Sequence, residues 1–324
     1  MKGWYHILDN LLYSINVVLP IILITLLGYI LKRRRFVTEG YIAVSTKLAF
    51  NIAFPCSIFA GMQGVSLSES IDMGLIMFLM VAITVSTLLL LLIVPRFVKD
   101  RPTAASVVQG MFRANFLVQG LPLLTIMYGE GNFVACTILL PFAVAINNVM
   151  ATVNFVVLIP EQRGNGKRPI LGALIKIAKN PLFLGSVAGL LFAGMNWSLP
   201  SPLTTAVENL GRIATPMALI SLGAEFEFGD VLRDYRFTIP TVLVRLIVLP
   251  AVITGAAILF GFRGSSLGGI FLFTGASSAA SGYIMSKTMG GNESLAAQCV
   301  CLSSVFSAFT LILGIFLLKS FNLI

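Results

Sequence analysis

The chain contains little charge and almost no histidine. Only 11% of its 324 residues are charged, and there is one histidine, His6. Ordinary soluble domains carry about 25% charged residues, so we expect no soluble domain in this chain. A single histidine also excludes a histidine-based metal site or proton relay. The four cysteines fall inside apolar stretches, where neither a disulfide nor a metal site is expected.

Patterns of catalysis and nucleotide binding are missing as well. The sequence has no Ser/His/Asp set, no metal-ligand spacing and no phosphate-binding loop. We therefore expect no enzyme, no catalytic residue, no metal and no cofactor. Without an ATP-binding motif, any transport would have to use ion or voltage gradients.

What the chain does have is long apolar runs. Apolar residues make up 57% of it, and its mean hydropathy is +0.95. A transmembrane helix needs about 20 apolar residues. The sequence therefore predicts an all-α integral membrane protein with ten transmembrane segments, at about 11–31, 38–62, 71–95, 103–128, 132–159, 180–196, 203–222, 238–260, 265–289 and 293–318.

The net charge of +9 is an orientation signal rather than a nucleic-acid footprint. Fifteen Lys and Arg residues fall between segments on one side, including Lys32–Arg35, and only Lys2, Arg263 and Lys319 fall on the other. Cytoplasmic loops collect positive charge. We predict a multi-pass protein of the inner or plasma membrane with both termini outside the cytoplasm. Membrane lipid, in particular anionic lipid, is an expected partner, and nucleic acid is not.

The segments divide into two halves of five. Residues 1–159 form the first predicted repeat, 160–179 a basic cytoplasmic loop with an interfacial stretch, and 180–324 the second repeat. An odd number of crossings per half makes the halves inverted in the membrane. Weak internal similarity agrees, since Pro20 and Gly28 in the first segment match the spacing of Pro181 and Gly189 in the sixth.

The fourth segment of each half contains helix-breaking residues. Segment 103–128 includes Asn115, Gln119, Gly120 and Pro122, and segment 265–289 includes the run Gly275–Gly282. Unwound backbone at membrane depth is tolerated only where protein or a water-filled cavity covers it. Interrupted segments at matching places in two halves indicate a substrate site between inverted repeats.

Several polar residues near these interruptions are candidate substrate contacts. Arg113 could hold an anionic substrate through its planar fork, although permanent contacts with freed backbone carbonyls or snorkelling to the cytoplasmic face would also explain it. Further candidates supply neutral hydrogen-bonding groups: Asn51, Asn115, Gln119, Ser277, Ser278 and one of the pair Asn147 and Asn148, for which we choose Asn148. Gly120 and Pro122, at the interruption itself, complete the predicted substrate site.

Other charges at membrane depth have less specific interpretations. Glu208 and Arg212 are four residues apart, which favours an internal ion pair, with proton coupling through Glu208 as the alternative. Lys47 could snorkel inward or contact the substrate. Arg245, in an eighth segment that otherwise resembles a smooth packing helix, is predicted to be an interfacial anchor.

The order of motifs resembles the auxin efflux carrier family, including its bacterial malonate/malate-type permeases. Phe112–Leu123 is similar to the Asn-x-x-x-x-Gly-x-Pro motif of the family's fourth helix, and Ala214–Gly223 to its seventh-helix signature. Leu48–Pro55, Asn180–Leu191 and the end from Met289 through Ser303, Ser304 and Ser307 also fit. The chain departs from the family at Ser277, where the ninth helix often carries proline; a break is still expected through Gly275 and Gly282.

The resemblance implies a fold and a function. It implies crossing fourth and ninth helices, a scaffold of helices 1, 2, 6 and 7 through which plant members dimerise, and a transport domain of helices 3–5 and 8–10. Members carry carboxylates such as malonate, malate or auxin. We therefore expect a homodimeric secondary transporter of a small organic anion, a mono- or dicarboxylate, working by alternating access as an export-competent uniporter. The alternatives are a Na⁺- or H⁺-coupled symporter or antiporter of the bile-acid and cation-exchanger architecture, and an anion channel.

Overall fold

The computed structural model describes residues 2–62, 72–129, 134–159, 181–224 and 234–324. Within these ranges the chain is helical and contains no strand, only one isolated bridge between two extended residues. The predicted cytoplasmic loop at 160–179 lies outside the described residues, and so does the predicted boundary between the two repeats. The prediction of an all-helical protein is confirmed.

In the first half, the helices follow the predicted apolar segments closely. Several begin at polar caps: Asp72 accepts a hydrogen bond from the amide of Leu75, and Asp100 accepts one from the amide of Thr103, as expected for helix starts. The helices are α1 (Lys2–Arg33), α2 (Glu39–Leu48), α3 (Phe54–Met62), α4 (Met73–Phe97), α5 (Arg101–Phe112), α6 (Leu121–Tyr128) and α7 (Val134–Leu158).

The second half contains a similar set. Its helices are α8 (Pro181–Gly194), α9 (Ser201–Arg212), α10 (Ala214–Ala224), α11 (Tyr235–Leu243), α12 (Leu249–Leu259), α13 (Gly264–Gly275), α14 (Ala280–Thr288) and α15 (Glu293–Ser320). Three wide π-helical turns lie within this series of fifteen helices: Ala49–Ala53 joins α2 to α3, Phe116–Gly120 precedes α6, and Val244–Val248 joins α11 to α12.

Five of the described helices are long and apolar enough to cross a membrane. They are Leu8–Arg33, Glu39–Ala60, Met73–Phe97, Tyr235–Leu259 and Glu293–Ser320. The fourth, seventh and ninth predicted segments are each divided into two shorter helices. The multi-pass character is therefore plain, whereas the count of ten crossings in inverted repeats stays a prediction.

Two packing arrangements position the rest of the molecule. Helix α1 packs along α10, and α3 packs against α8 and α9. Elsewhere, α5 lies among α4, α7, α11, α14 and α15, and α13 packs against α12 and α6. Buried aliphatic and aromatic side chains such as Phe54, Leu79 and Phe116 fill the space between these helices.

Candidate functional site

The two predicted interruptions are real, and they lie against each other. Helix α5 ends at Phe112, α13 ends at Gly275, and Ala114 and Ser278 form an antiparallel bridge between the two unwound stretches. The amide of Asn115 donates to the carbonyl of Ser277 at 2.7 Å, and the amide of Ala279 donates to the carbonyl of Arg113 at 3.0 Å. The ninth segment is thus broken although Ser277 replaces the family's proline.

Side chains reinforce this main-chain pairing. The Gln119 amide accepts a hydrogen bond from the Ser277 N–H at 2.8 Å and donates one to the Ser307 hydroxyl at 3.2 Å. The Ser278 hydroxyl donates to the carbonyl of Gly110 at 2.7 Å, while the Ser278 N–H donates to the Ser303 hydroxyl at 2.9 Å. Gln119 and Ser278, both predicted substrate contacts, therefore hold the two breaks together.

Gly120 and Pro122 shape the fourth segment rather than offering polar groups. A Cβ atom on Gly120 would lie 2.2 Å from the Phe116 ring, so a larger residue there would force that ring to move. Pro122 occupies the first turn of α6, where a missing N–H costs nothing. Both residues are buried, in the helical turns that follow the break.

The structure overturns the prediction that Arg245 is an interfacial anchor. Its side chain is only 2% exposed, and the eighth segment is not smooth, because a π-helical turn carries Arg245 inward. The guanidinium donates hydrogen bonds to the last carbonyls of α5 and α13 and to the carbonyl of Ala276, directly after α13. Such carbonyls have no partner within their own helix and carry the negative end of the helix dipole. Arg245 neutralises both ends at once.

Unlike Arg245, Arg113 bonds to side chains rather than to helix-end carbonyls. It lies directly after α5 and is partly exposed. Its Nε donates to the Ser281 hydroxyl at 3.1 Å, Nη2 donates to Oδ1 of Asn148 at 2.7 Å, and Nη1 contacts the Met285 sulfur at 3.0 Å. All three partners are neutral. The ion pairs of the described residues are Lys32–Glu39, Arg212–Glu208 and Lys287–Glu293, so neither Arg113 nor Arg245 faces an acid among them.

The contact with Arg113 decides between the two neighbouring asparagines of α7. Asn148 faces the break through its bond to Arg113. Asn147 instead donates to the carbonyl of Ala143 in its own helix, and its side-chain oxygen has no partner among the described residues. The choice of Asn148 therefore agrees with the geometry.

Two polar groups at the breaks have no hydrogen-bond partner in the part of the chain that the structure describes. The Asn115 side chain is 7% exposed and makes no capping bond at the turn that follows it. The Ser277 hydroxyl is fully buried and unpaired there. Buried polar groups are normally satisfied, so these two are candidates for bonding a ligand or water.

The remaining predicted residues make no hydrogen bond or ion pair with the described residues of the breaks. Asn51 sits in the π-helical turn between α2 and α3 with an exposed side chain, and Lys47 is exposed on α2. Glu208 and Arg212 form a pair at 3.9 Å on α9, with their side chains 47% and 70% exposed. No hydrogen bond or ion pair joins that pair to the described residues of the breaks.

A cavity of about 350 Å³ lies between α1 and α15, close to the breaks. Its walls are aliphatic residues of both helices, and Gln119, Ser304 and Ser307 supply polar atoms on one side. This volume falls within the range of small-molecule sites, which are mostly apolar with a few placed polar groups. Clusters of three or more His, Cys, Asp or Glu suited to a metal do not occur in the described ranges.

Sequence reasoning missed three kinds of contact. It did not predict Met285 beside Arg113, nor Arg245 as a partner of the freed carbonyls. It noted Ser303 and Ser307 only as part of a family motif; their spacing of four residues places both on one face of α15, the face that contacts the breaks.

Similarity to known proteins identifies the family of this chain. The pattern of the membrane transport protein family matches residues 13–315. The chain belongs to this family, the auxin efflux carrier family that the motifs resemble. A protein of Methanothermobacter thermautotrophicus described as an uncharacterized transporter is 24% identical over 302 residues, covering 92% of this chain and 96% of that protein. The chain is therefore a membrane transporter by family.

Proposed function

We propose that this protein is a secondary transporter that moves a small organic anion, a mono- or dicarboxylate, across the cell membrane by alternating access. The observation that carries the proposal is the Arg113 guanidinium. It stands at the paired breaks, partly exposed, with neutral partners only among the described residues. An arginine at membrane depth without an acidic partner favours an anionic substrate, because burying an uncompensated charge is costly.

The comparison with Arg245 sharpens this argument. Arg245 is buried, and backbone carbonyl oxygens already compensate its charge, so it is not available to a substrate. Arg113 has five N–H donors, of which the described contacts take three. One N–H on each terminal nitrogen remains, and a carboxylate with two oxygens is suited to that pair. The unpaired Asn115 amide, two residues along the chain, adds a neutral group.

The lengths of the broken helices support a site near the middle of the membrane. Helices α5 and α13, which precede the breaks, each contain 12 residues. At 1.5 Å per residue each covers about 18 Å, just over half of a hydrocarbon core about 30 Å thick. If the two halves are inverted, helices of equal length that enter from opposite faces bring their breaks to a common depth, as the Ala114–Ser278 bridge requires.

The packing supports a division into a fixed and a moving part. Glycines let α1 and α10 touch backbone to backbone: a Cβ on Gly28 would lie 2.2 Å from the Ile220 oxygen, and one on Gly223 would lie 1.8 Å from the Thr25 oxygen. By contrast, the contact between α1 and α15 contains the 350 Å³ cavity. In our proposal α1–α3 and α8–α10 form the scaffold, and the remaining helices carry the breaks past it.

The energetics favour export without a coupled ion. Moving one negative charge outward across a negative-inside potential of 100 mV releases about 2.3 kcal/mol. A coupled mechanism through a membrane acid has Glu208 as its candidate, but that carboxylate is half-exposed on α9 and bonded to Arg212. We therefore favour uniport.

We also propose that the protein is a homodimer, and the surface of helix α9 is consistent with that. Nearly all of its residues are exposed, and they include the polar side chains of Thr205, Glu208, Asn209 and Arg212. A polar face exposed within a membrane needs a partner surface. Light scattering of the protein in detergent measures the dimer directly, and a monomer at all concentrations would contradict this part of the proposal.

The test is transport by the purified protein in proteoliposomes. A panel of labelled carboxylates, including malonate, malate and indole-3-acetate, is offered with and without an imposed potential. We expect Arg113→Ala to raise the KM for the transported anion about 10- to 100-fold, the equivalent of one lost charge-assisted contact.

Arg263→Ala is the matched control, because it removes another arginine whose hydrogen bonds go to the surface carbonyls of Ile258 and Phe262 and not to the breaks. It should leave the KM within about twofold. An unchanged KM in Arg113→Ala would refute the anion role of Arg113. Fluxes far above the turnover rate of a carrier would show that the protein is a channel.

A further inference from the structure

Arg245 sits where two helix ends converge. Its guanidinium lies within hydrogen-bonding distance of five backbone carbonyl oxygens, at distances from 2.6 to 3.5 Å. Four of them belong to the last turns of α5 and α13, namely those of Met111, Phe112, Phe273 and Thr274, and the fifth belongs to Ala276, the extended residue that follows α13.

A ring of backbone oxygens at the ends of broken helices is the chemistry of a cation site. Each helix end carries about half a negative charge, so two converging ends attract a positive ion. In transporters with discontinuous helices, such C-terminal ends and unwound carbonyls hold a mobile coupling ion. Here the same kind of oxygen set is filled by a side chain of the protein.

We propose that Arg245 is a tethered cation that takes the place of a mobile coupling ion, so that the paired breaks stay assembled and reorient without binding Na⁺. This inference rests on the proposed transport function and specifies its coupling. A guanidinium keeps its charge under all physiological conditions. It is covalently attached and 2% exposed, so it neither leaves nor exchanges during a transport cycle.

The π-helical turn is what makes this placement possible. Val244–Val248 widens the eighth segment by one residue, and Arg245 enters the protein from it while the neighbouring Ile247 and Val248 stay exposed. No acid among the described residues pairs with Arg245, so the oxygens themselves are its counter-charge. The arginine and the two helix ends are thus mutually dependent.

The first test measures the melting temperature of the whole protein in detergent. Wild-type protein should melt at the same temperature in NaCl and in choline chloride of equal ionic strength. Arg245→Ala should melt about 5–10 °C lower, because the freed carbonyls lose their partner. Millimolar guanidinium chloride should restore at least half of that loss, and equal urea should not.

Arg263→Ala is the matched control. Arg263 also donates to backbone carbonyls, those of Ile258 and Phe262, but it does so at the protein surface. Its loss should lower the melting temperature little, and guanidinium should have no restoring effect. If Arg245→Ala does not fold, Arg245→Lys keeps the charge with three donors, and we expect it to fold with an intermediate melting temperature.

The second test compares initial transport rates of wild-type proteoliposomes in Na⁺ and in choline. We expect equal rates within twofold. A saturable Na⁺ dependence of either melting or transport would overturn the inference, as would an Arg245→Ala protein that melts like wild type. The melting measurements need no substrate, so failure to transport any carboxylate would count against the proposed function alone.

Discussion

The glycine contact between α1 and α10 provides a sharp quantitative test of the scaffold. A Cβ added to Gly223 would lie 1.8 Å from the carbonyl oxygen of Thr25 and 3.0 Å from the amide nitrogen of Tyr29. An ordinary carbon–oxygen contact is about 3.3 Å, so the two helices would have to separate by about 1.5 Å. Because the obstructing atoms are backbone, no rotamer change can relieve the clash.

We therefore expect Gly223→Ala to be strongly destabilising. Overpacking in a well-packed core typically costs about 1–3 kcal/mol, and this clash belongs at the upper end. At about 2–4 °C per kcal/mol, the melting temperature should fall by about 6–12 °C. The assay is thermal unfolding of the detergent-solubilised protein, followed by size-exclusion recovery after heating.

Gly255→Ala is the control for the same chemical change. Gly255 lies in α12, and an added Cβ there meets no heavy atom within 4 Å. Alanine is the better helix former by about 1 kcal/mol, so this variant should melt no lower than wild type. If the two alanine variants melted within about 2 °C of each other, the backbone contact between α1 and α10 would not have the role we assign it.

Two further predictions concern the breaks and the coupling acid. Gln119→Leu removes both side-chain bonds that hold Ser277 and Ser307, so it should lower stability by about 1–3 kcal/mol, measured by thermal unfolding; an unchanged melting temperature would show that the main-chain bridge suffices. Glu208→Gln should leave the pH profile of transport unchanged, because the Glu208 carboxylate is half-exposed on α9 and paired with Arg212. If the variant lost a pH dependence that the wild type shows in proteoliposomes, proton coupling through Glu208 would be supported instead.

Sequence reasoning predicted the breaks because their cause is local. Pro122 has no N–H to donate to the turn before it, which is the π-helical turn Phe116–Gly120 that follows the first break, and the small residues between Gly275 and Gly282 weaken the second segment. Arg113 was identified because a charge in an apolar run is visible in the sequence alone. Its partner Asn148 required a choice between two neighbours that only tertiary contacts settle.

Arg245 shows what the sequence could not supply. Its role depends on a one-residue widening of the helix and on two helix ends distant along the chain. Neither the wide turn nor the inward direction of the side chain leaves a pattern in an apolar segment. Asn51 stays a prediction as a substrate contact, since the structure shows it only as an exposed residue in the π-helical turn between α2 and α3.

The pairing of Ala114 with Ser278 has a consequence for insertions and deletions. Side chains of extended residues alternate between two sides, so a shift of either extended stretch by one position would turn the side chains of Ser277 and Asn115 to the opposite sides. Adding or removing one residue between Arg113 and Asn115 would thus invert the lining at the centre of the protein. We expect a change of chain length there to be more damaging than the replacement of the Ser277 or Asn115 side chain.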